Sequence, residues 1–353
     1  MLRLAWADRG ALNDVLRREG EVTHWNCRNA TSDGMLNSSS APSPDGEHHG
    51  WAERRRALET GRYRASPDGR RSWWRKRLSN AMLDVFGMLL RPTPVHTFGL
   101  RNALDLKLVQ LELGFPYLPA AFDGYRILHV TDTHLDHLPE LAPIARRLLD
   151  GIEADMLALT GDVQGTHSAP ISLSTRLLEE ALEGVRVAGP RLAVLGNHDS
   201  SEMAEVLQRL GFDVLLNRSI ALERAGARLH VTGLDDVNSF YTEAALQALA
   251  APALEPEAFR IALVHSAEMA DHAAAAGCAL YLCGHTHGGQ ICLPGGRPIL
   301  THLTRCRHLA SGRWQCGAMT GYTNRGIGVS GPPLRFNCSG EAAVITLRRS
   351  TPA

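Results

Sequence analysis

The segment Leu192–Asp199 reads LAVLGNHD, and it restricts the whole chain more than any other stretch. Four apolar residues make a run of strand length, Gly196 lets the backbone turn, and an amide, an imidazole and a carboxylate follow in succession. A packed core has no use for that trio, whereas a strand end facing a ligand does. Four other apolar runs stop in the same way. RILHV leads to Asp132 and His134, DMLAL to Asp162, RIALV to His265, and ALYLC to His285 and His287.

The segments between these runs carry helical patterns. Leu141, Ile144, Leu148, Leu149 and Ile152 share one face. Ser174–Glu183 reads as a helix, and so does SSEMAEVLQRLG, which opens on Ser and closes on Gly211. Further on, Val214–Leu216, Ile220–Leu222 and Leu229–Thr232 read as strands, with Ala225–Gly226 turning the last pair. Thr242–Ala250 looks helical, and short strands in Gly- and Pro-rich text end at Ala342–Leu347. Alternating strands and helices, then mostly strands, predict a layered α/β sandwich around one or two sheets.

Residues 1–75 differ. They hold SSSAPSPDGEHHG, the Arg54–Arg56 cluster and five of the six tryptophans, without a sustained period, and read as a disordered or loosely attached segment. Residues 76–120 lead into the core. Trp73, Trp74, Arg75, Lys76 and Arg77 precede a Met/Leu/Phe-rich run that suits a helix lying on a membrane surface or packed on its own domain. Partial alternation over Asn102–Leu113 then predicts a solvent-facing edge strand. Residues 121–349 carry the five strand ends and read as the main domain.

Net formal charge is zero, so no global charge points to nucleic acid. Residues 1–80 nevertheless hold 15 Lys and Arg against 10 Asp and Glu, leaving the remainder acidic. Seven cysteines with no CxxC pair, and no signal sequence at the start, predict reduced thiols and a cytoplasmic protein. The apolar stretch Ala81–Leu90 contains Asp84 and is too short to span a bilayer. No feature sets an oligomeric state.

In open α/β sheets, groups at the carboxyl ends of strands converge on a ligand. Carboxylates, a carboxamide and imidazoles, with no thiolate, suit Mn²⁺, Fe or Zn²⁺, with Mn²⁺ favoured. Asp132, His134, Asp162, Asn197, His265, His285 and His287 are too many ligands for one ion and enough for two that share a carboxylate. Taken singly, a His or Asp is usually a core, cap or surface residue, and His129, His137, His167, His230, His302, His308, Asp136 and Asp155 are read that way. Five strand ends together are not.

The series DTH, GD, GNHD, an isolated His after a strand and GHTH, in that order, resembles the calcineurin-like metallophosphoesterases from about Tyr125 to Leu347. GYRILHVTDTHLD, GHTHGGQICLP and YTNRGIGVSGPPLRFN look like the bacterial phosphodiesterase branch that includes UDP-2,3-diacylglucosamine hydrolases and membrane-anchored relatives. One departure is Gln164, where the family often has an acidic residue. The resemblance implies an α/β/β/α sandwich of two mixed sheets flanked by helices. It also implies two divalent metal ions, the first on Asp132, His134, Asp162 and His287, the second on Asp162, Asn197, His265 and His285. Two such ions lie about 3.5–4 Å apart and activate the attacking water. His198 then stabilises the phosphoryl oxygens or protonates the leaving oxygen, and Asp199 orients it.

Gly288 and Gly289 are expected to let backbone approach the substrate. Arg325 is read either as a phosphate contact or as a surface residue. The implied activity is hydrolysis of a phosphodiester or pyrophosphate bond, on a lipid-linked nucleotide such as UDP-2,3-diacylglucosamine or on soluble nucleotides or phosphoproteins. A non-catalytic scaffold of the same fold would have lost ligands or His198, and all are present. A lipid substrate implies peripheral contact with the inner face of the membrane, and an apolar groove lined by Phe86–Leu90 or Val109–Leu118, unless both pack in the core.

Overall fold

The structure is a computed structural model. It describes residues 50–60, 85, 87–167, 169–251 and 258–351, together with the backbone of short elements at 23–25, 44–49, 63–64 and 71–72. Most of the Trp-rich basic segment, including Trp73–Arg77 and Phe86, lies outside the described residues, as does most of 1–43. Among the described residues no helix is long and apolar enough to cross a membrane.

The elements in chain order are β1 (Thr23–Trp25), α1 (Pro44–Thr60), α2 (Pro94–Leu104), β2 (Lys107–Phe115), β3 (Arg126–Val130) and α3 (Leu141–Leu149). Then come β4 (Met156–Thr160), α4 (Ile171–Leu182), β5 (Arg191–Val194), α5 (Met203–Arg209), β6 (Asp213–Val214), β7 (Arg218–Arg224) and β8 (Ala227–Gly233). The rest is α6 (Glu243–Ala250), β9 (Phe259–Leu263), α7 (Ala270–Ala275), β10 (Leu280–Cys283), β11 (Gly312–Cys316), β12 (Met319–Thr323) and β13 (Glu341–Arg349). One six-stranded sheet runs β6-β5-β4-β3-β13-β2, and a seven-stranded sheet runs β1-β11-β12-β10-β9-β8-β7. Both are mixed. β3, β4, β5 and β6 pair in parallel, as do β8, β9, β10 and β12, while β13 meets β3 antiparallel.

The apolar runs are continuous because both faces of these strands are covered. Leu157 and Leu159 of β4 face α3 and α4, packing with Leu141, Ala145, Leu149 and Leu178. Met156 and Ala158 of the same strand face the other sheet and meet Ile261, Leu263, Leu280 and Leu282. Ala262 and Tyr281, one residue out of phase, look outward to Ala245, Ala270 and Ala273 on α6 and α7. Three apolar layers separate four structural ones, the expected α/β/β/α sandwich.

Two segments depart from the sequence reading. Asn102–Leu104, taken as the start of an edge strand, close helix α2, and the edge strand β2 begins at Lys107. Residues 44–60, inside the stretch read as disordered, form helix α1, and its Arg55 is 1% exposed. Low hydrophobicity hid this helix, because Trp51, Arg55 and Glu59, and no apolar stripe, fasten it.

Candidate metal centre

The five strand ends converge. β3 delivers Asp132 and His134, β4 delivers Asp162, β5 delivers Asn197 and His198, β9 delivers His265, and β10 delivers His285 and His287. The ligand atoms fall into two buried groups, Asp132 with His134 and His287, and Asp162 with His265 and His285, each within 4.8 Å. Asp162 Oδ2 sits between them, 3.1 Å from His265 Nε2 and 3.5 Å from His134 Nε2. Its other oxygen accepts the His198 backbone N–H at 2.8 Å, which fixes the carboxylate plane.

Groups beyond the ligands, mostly backbone carbonyls, set the ring orientations. His134 Nδ1 faces the Gln164 carbonyl at 2.7 Å, and His265 Nδ1 faces that of Thr160 at 2.8 Å, so each Nδ1–H donates and each Nε2 turns inward. His285 is reversed. Its Nδ1 lies 3.2 Å from His265 Nε2, and its Nε2 meets the Asn238 carboxamide at 3.1 Å. Asp132 Oδ2 accepts from Thr131 Oγ1 and the His285 N–H, both at 2.8 Å, leaving Oδ1 3.4 Å from His287 Nε2.

The backbone is strained where the ligands sit. Asp132, His134, Asp162, His285 and His287 all have positive φ, between 34° and 73°. Such conformations cost about 1–3 kcal/mol each for residues with a side chain and gather at functional sites. Gly161 and Gly196 answer a related demand. A Cβ on Gly161 would strike the Gly196 backbone, and one on Gly196 would strike Asp162, so two strand ends cross in contact.

The donor set fits divalent cations. Asp132 Oδ1, His134 Nε2 and Asn197 Oδ1 are buried without a hydrogen-bond partner among the described residues, and all three belong to the ligand set. Buried orphans of this kind call for an ion or a proton. Burial would drive the proton off His265, but Asp162, Asp132 and Asp236 overrule it and raise the pKa to about 10. Burial opposes the Asp162 charge too, and His265 and His198 nevertheless pull its carboxyl well below the usual range. His287 goes the other way, pushed well below the ordinary imidazole value by burial, with His134 and Arg335 adding to it.

Four expected roles change. Asp199 does not orient His198. Its Oδ1 accepts the N–H groups of Val163 and Gln164, its Oδ2 those of Asp162 and Gly196, at 2.8–3.0 Å, so it staples two strand-end loops together. The His198 ring is instead held by its Nδ1 against the Gly165 carbonyl at 2.5 Å. Gly288 and Gly289, with φ of 62° and 89°, lie against protein: a Cβ would meet Arg325 and Cys338 at the first and Pro298 at the second. Arg325 turns its Nε and one Nη to the buried Glu341.

Sequence reasoning missed a sixth strand end. β8 runs into LDDVN, where Asp236 accepts the N–H groups of Asn238 and Ser239 and positions the amide that meets His285. The signal was visible as two acids and an amide after an apolar run. Gln164 also has a role: its Oε1 accepts from both the backbone and the hydroxyl of Ser200, bracing the loop after Asp199.

Buried carboxylates and imidazoles gathered in two adjoining groups at the carboxyl ends of two packed sheets make a site built for divalent cations. A model of the calcineurin-like phosphoesterases matches residues 125–289. The metallophosphoesterase YkuE of Bacillus subtilis (strain 168) is 31% identical over 248 residues, covering 65% of this chain and 82% of its own length. Phosphodiesterase YaeI of Escherichia coli (strain K12) is 28% identical over 233 residues, 63% of this chain and 82% of its own. Among solved structures, the NAD nucleotidase NadN of Haemophilus influenzae aligns with a TM-score of 0.38 at 15% identity, over 57% of this chain and 45% of that one. The chain belongs to the calcineurin-like phosphoesterases, and it is a hydrolase.

Proposed function

We propose that this chain hydrolyses a phosphodiester or pyrophosphate bond with two divalent cations, Mn²⁺ favoured. The observation that carries this reading is Asp162 Oδ2, which stands within 3.5 Å of one imidazole from each ligand group while Oδ1 is tied to the His198 N–H. Asp132, His134, Asp162 and His287 would hold one cation, and Asp162, Asn197, His265 and His285 the other. Bound there, the cations supply Lewis acidity toward the phosphoryl group and toward the water that attacks it.

The chain's own contribution is positioning and proton control. With Nδ1–H donated to the Gly165 carbonyl, His198 in its imidazolium form would present Nε2–H to the phosphoryl group, donating to a non-bridging oxygen or giving its proton to the leaving oxygen. Its ring stands 5.0 Å from that of His134, beside the first ligand group. Asp199 holds the loop that carries it.

The finer reading is a lipid-linked nucleotide such as UDP-2,3-diacylglucosamine, met at the inner face of a membrane by a cytoplasmic enzyme. Exposed apolar residues beyond the His287 loop support it: Met88, Leu89 and Phe98 on one side, Leu293, Ile299 and Leu300 on the other. The two sides are joined through Phe336, whose ring is 6.2 Å from Phe98 and whose backbone bridges Ile291. Acyl chains over this rim would leave the headgroup near the metal ligands.

The test is turnover of UDP-2,3-diacylglucosamine and of an aryl phosphodiester by the Mn²⁺-loaded protein, with Asp162→Asn as blank. Removing a shared ligand should cost on the order of 10³-fold or more, since even outer-shell partners cost 10–100-fold. Turnover of both substrates by the parent supports the lipid assignment. Turnover of the aryl diester alone keeps the phosphodiesterase and removes the lipid substrate, and silence on both overturns the reading.

A further inference from the structure

The catalytic loop Gly196–Ser201 is fastened by a helix from far outside the matched domain. Arg55 of α1 sends one Nη to two carbonyls, Gly196 O at 2.7 Å and Asp199 O at 2.9 Å, which bracket Asn197 and His198. Its other Nη pairs with Asp235, whose second oxygen accepts from Trp51 Nε1 at 2.7 Å. The guanidinium lies over the Phe240 ring, 4.0 Å from its centre. One turn on, Glu59 accepts the Ser201 N–H at 2.7 Å.

The loop is therefore held from two sides. Asp199 ties it to the loop after β4 from within, and α1 grips its backbone from without. The grip needs a planar fork, because one group must serve two carbonyls and a carboxylate at once. Arginine does this with two nitrogens set apart in a plane that stacks on Phe240, whereas the ammonium of lysine donates from a single point.

We propose that Arg55 is a positioning residue for the reaction, holding the carbonyls on either side of Asn197–His198 so that His198 reaches the leaving oxygen. The inference rests on the role given to His198 above. A 1 Å misplacement of a catalytic group costs about 10²-fold, and Arg55→Ala should lower kcat by about that factor with KM little changed. An anchor that only attaches the N-terminal segment predicts a different pattern.

The experiment uses the full-length Mn²⁺-loaded protein and a series of aryl phosphodiesters spanning good to poor leaving groups. Arg55→Ala, Arg55→Lys, His198→Ala and the Arg55→Ala/His198→Ala double variant are compared, with bound metal measured in each. The expected result is a kcat loss that grows as the leaving group worsens. The double variant should be no slower than His198→Ala alone, because groups acting as a unit are not additive. Added guanidinium should partly restore Arg55→Ala and leave His198→Ala unchanged.

Parental kcat in Arg55→Ala overturns the proposal, and so does a loss that is uniform across leaving groups and additive with His198→Ala. If Arg55→Ala does not fold, Arg55→Lys decides, since it keeps the charge without the fork. A parental profile in Lys overturns the proposal, and an intermediate, leaving-group-dependent loss supports it. Should His198→Ala itself match the parent, the role given to His198 has failed, and this result is separate from any outcome at Arg55.

Discussion

The two ligand groups differ in what occupies them when no cation is bound. In the Asp162 group, His265 is held protonated up to about pH 10 by burial-opposed attraction to Asp162, Asp132 and Asp236, so an ion pair stands where a cation would sit. In the Asp132 group, His287 is kept neutral by burial and by the positive neighbours His134 and Arg335. Both groups hold a proton, on His265 in one and on His134 in the other, where Asp162 and Asp132 raise the imidazole pKa against burial; only the Asp132 group adds a bare imidazole, His287. The difference lies in which carboxylate each imidazole faces at close range, 3.1 Å for His265 to Asp162 and 3.4 Å for His287 to Asp132, whose own pKa burial raises.

The largest test of this contrast is removal of one imidazole at a time. His285→Ala and His287→Ala should each lower bound metal from two ions to one per chain, with activity falling at least 10²-fold, by the scale of outer-shell losses. Elemental analysis of the purified variants checks it. Loss of both ions from either variant would show that the groups bind as one unit.

A smaller effect is pH dependence. A cation needs neutral imidazoles, so the ion entering the Asp162 group must expel the His265 proton. Its apparent affinity should rise about tenfold per pH unit between pH 6 and 8. Titration calorimetry in buffers of different ionisation enthalpy counts the protons released. No proton release on filling the Asp162 group would break this assignment. The metal-free fold carries the matching sign: a raised His265 pKa stabilises it fully below the unfolded value near 6.5, and that contribution is lost as pH rises through about 10. Chelator-treated protein should melt lower as pH climbs toward 10, and metal-loaded protein should not.

The mildest change is Asn238→Ala. Its amide fixes the His285 ring at 3.1 Å, so its loss should weaken metal binding in the Asp162 group about 10–100-fold and leave the other group untouched. Competition with a fluorescent chelator measures both.

Much of the centre was legible because each ligand directly follows an apolar run, and strand-end chemistry is local. Asp132, His134, Asp162, Asn197, His265, His285 and His287 all stand at the ends of β3, β4, β5, β9 and β10. The roles of Asp199, Gly288, Gly289 and Arg325 were read less well, since each depends on what lies across space from the residue. Asp199 sits beside His198 in sequence, yet its oxygens face backbone N–H groups 35–37 residues earlier and that of Gly196. Neighbours in sequence share a loop without sharing a partner.

The sequence by itself determined the layered sandwich, its strand order along the chain, and the set of candidate metal ligands, because periodicity and strand-end polarity are properties of short segments. Only the tertiary structure decided the ring orientations, the reversed ring of His285 among them, the partners of Asp199, and the docking of α1. These rest on contacts across large separations, 141 and 144 residues for Arg55 to Gly196 and Asp199. No pattern along the chain marks such partners until packing brings them together.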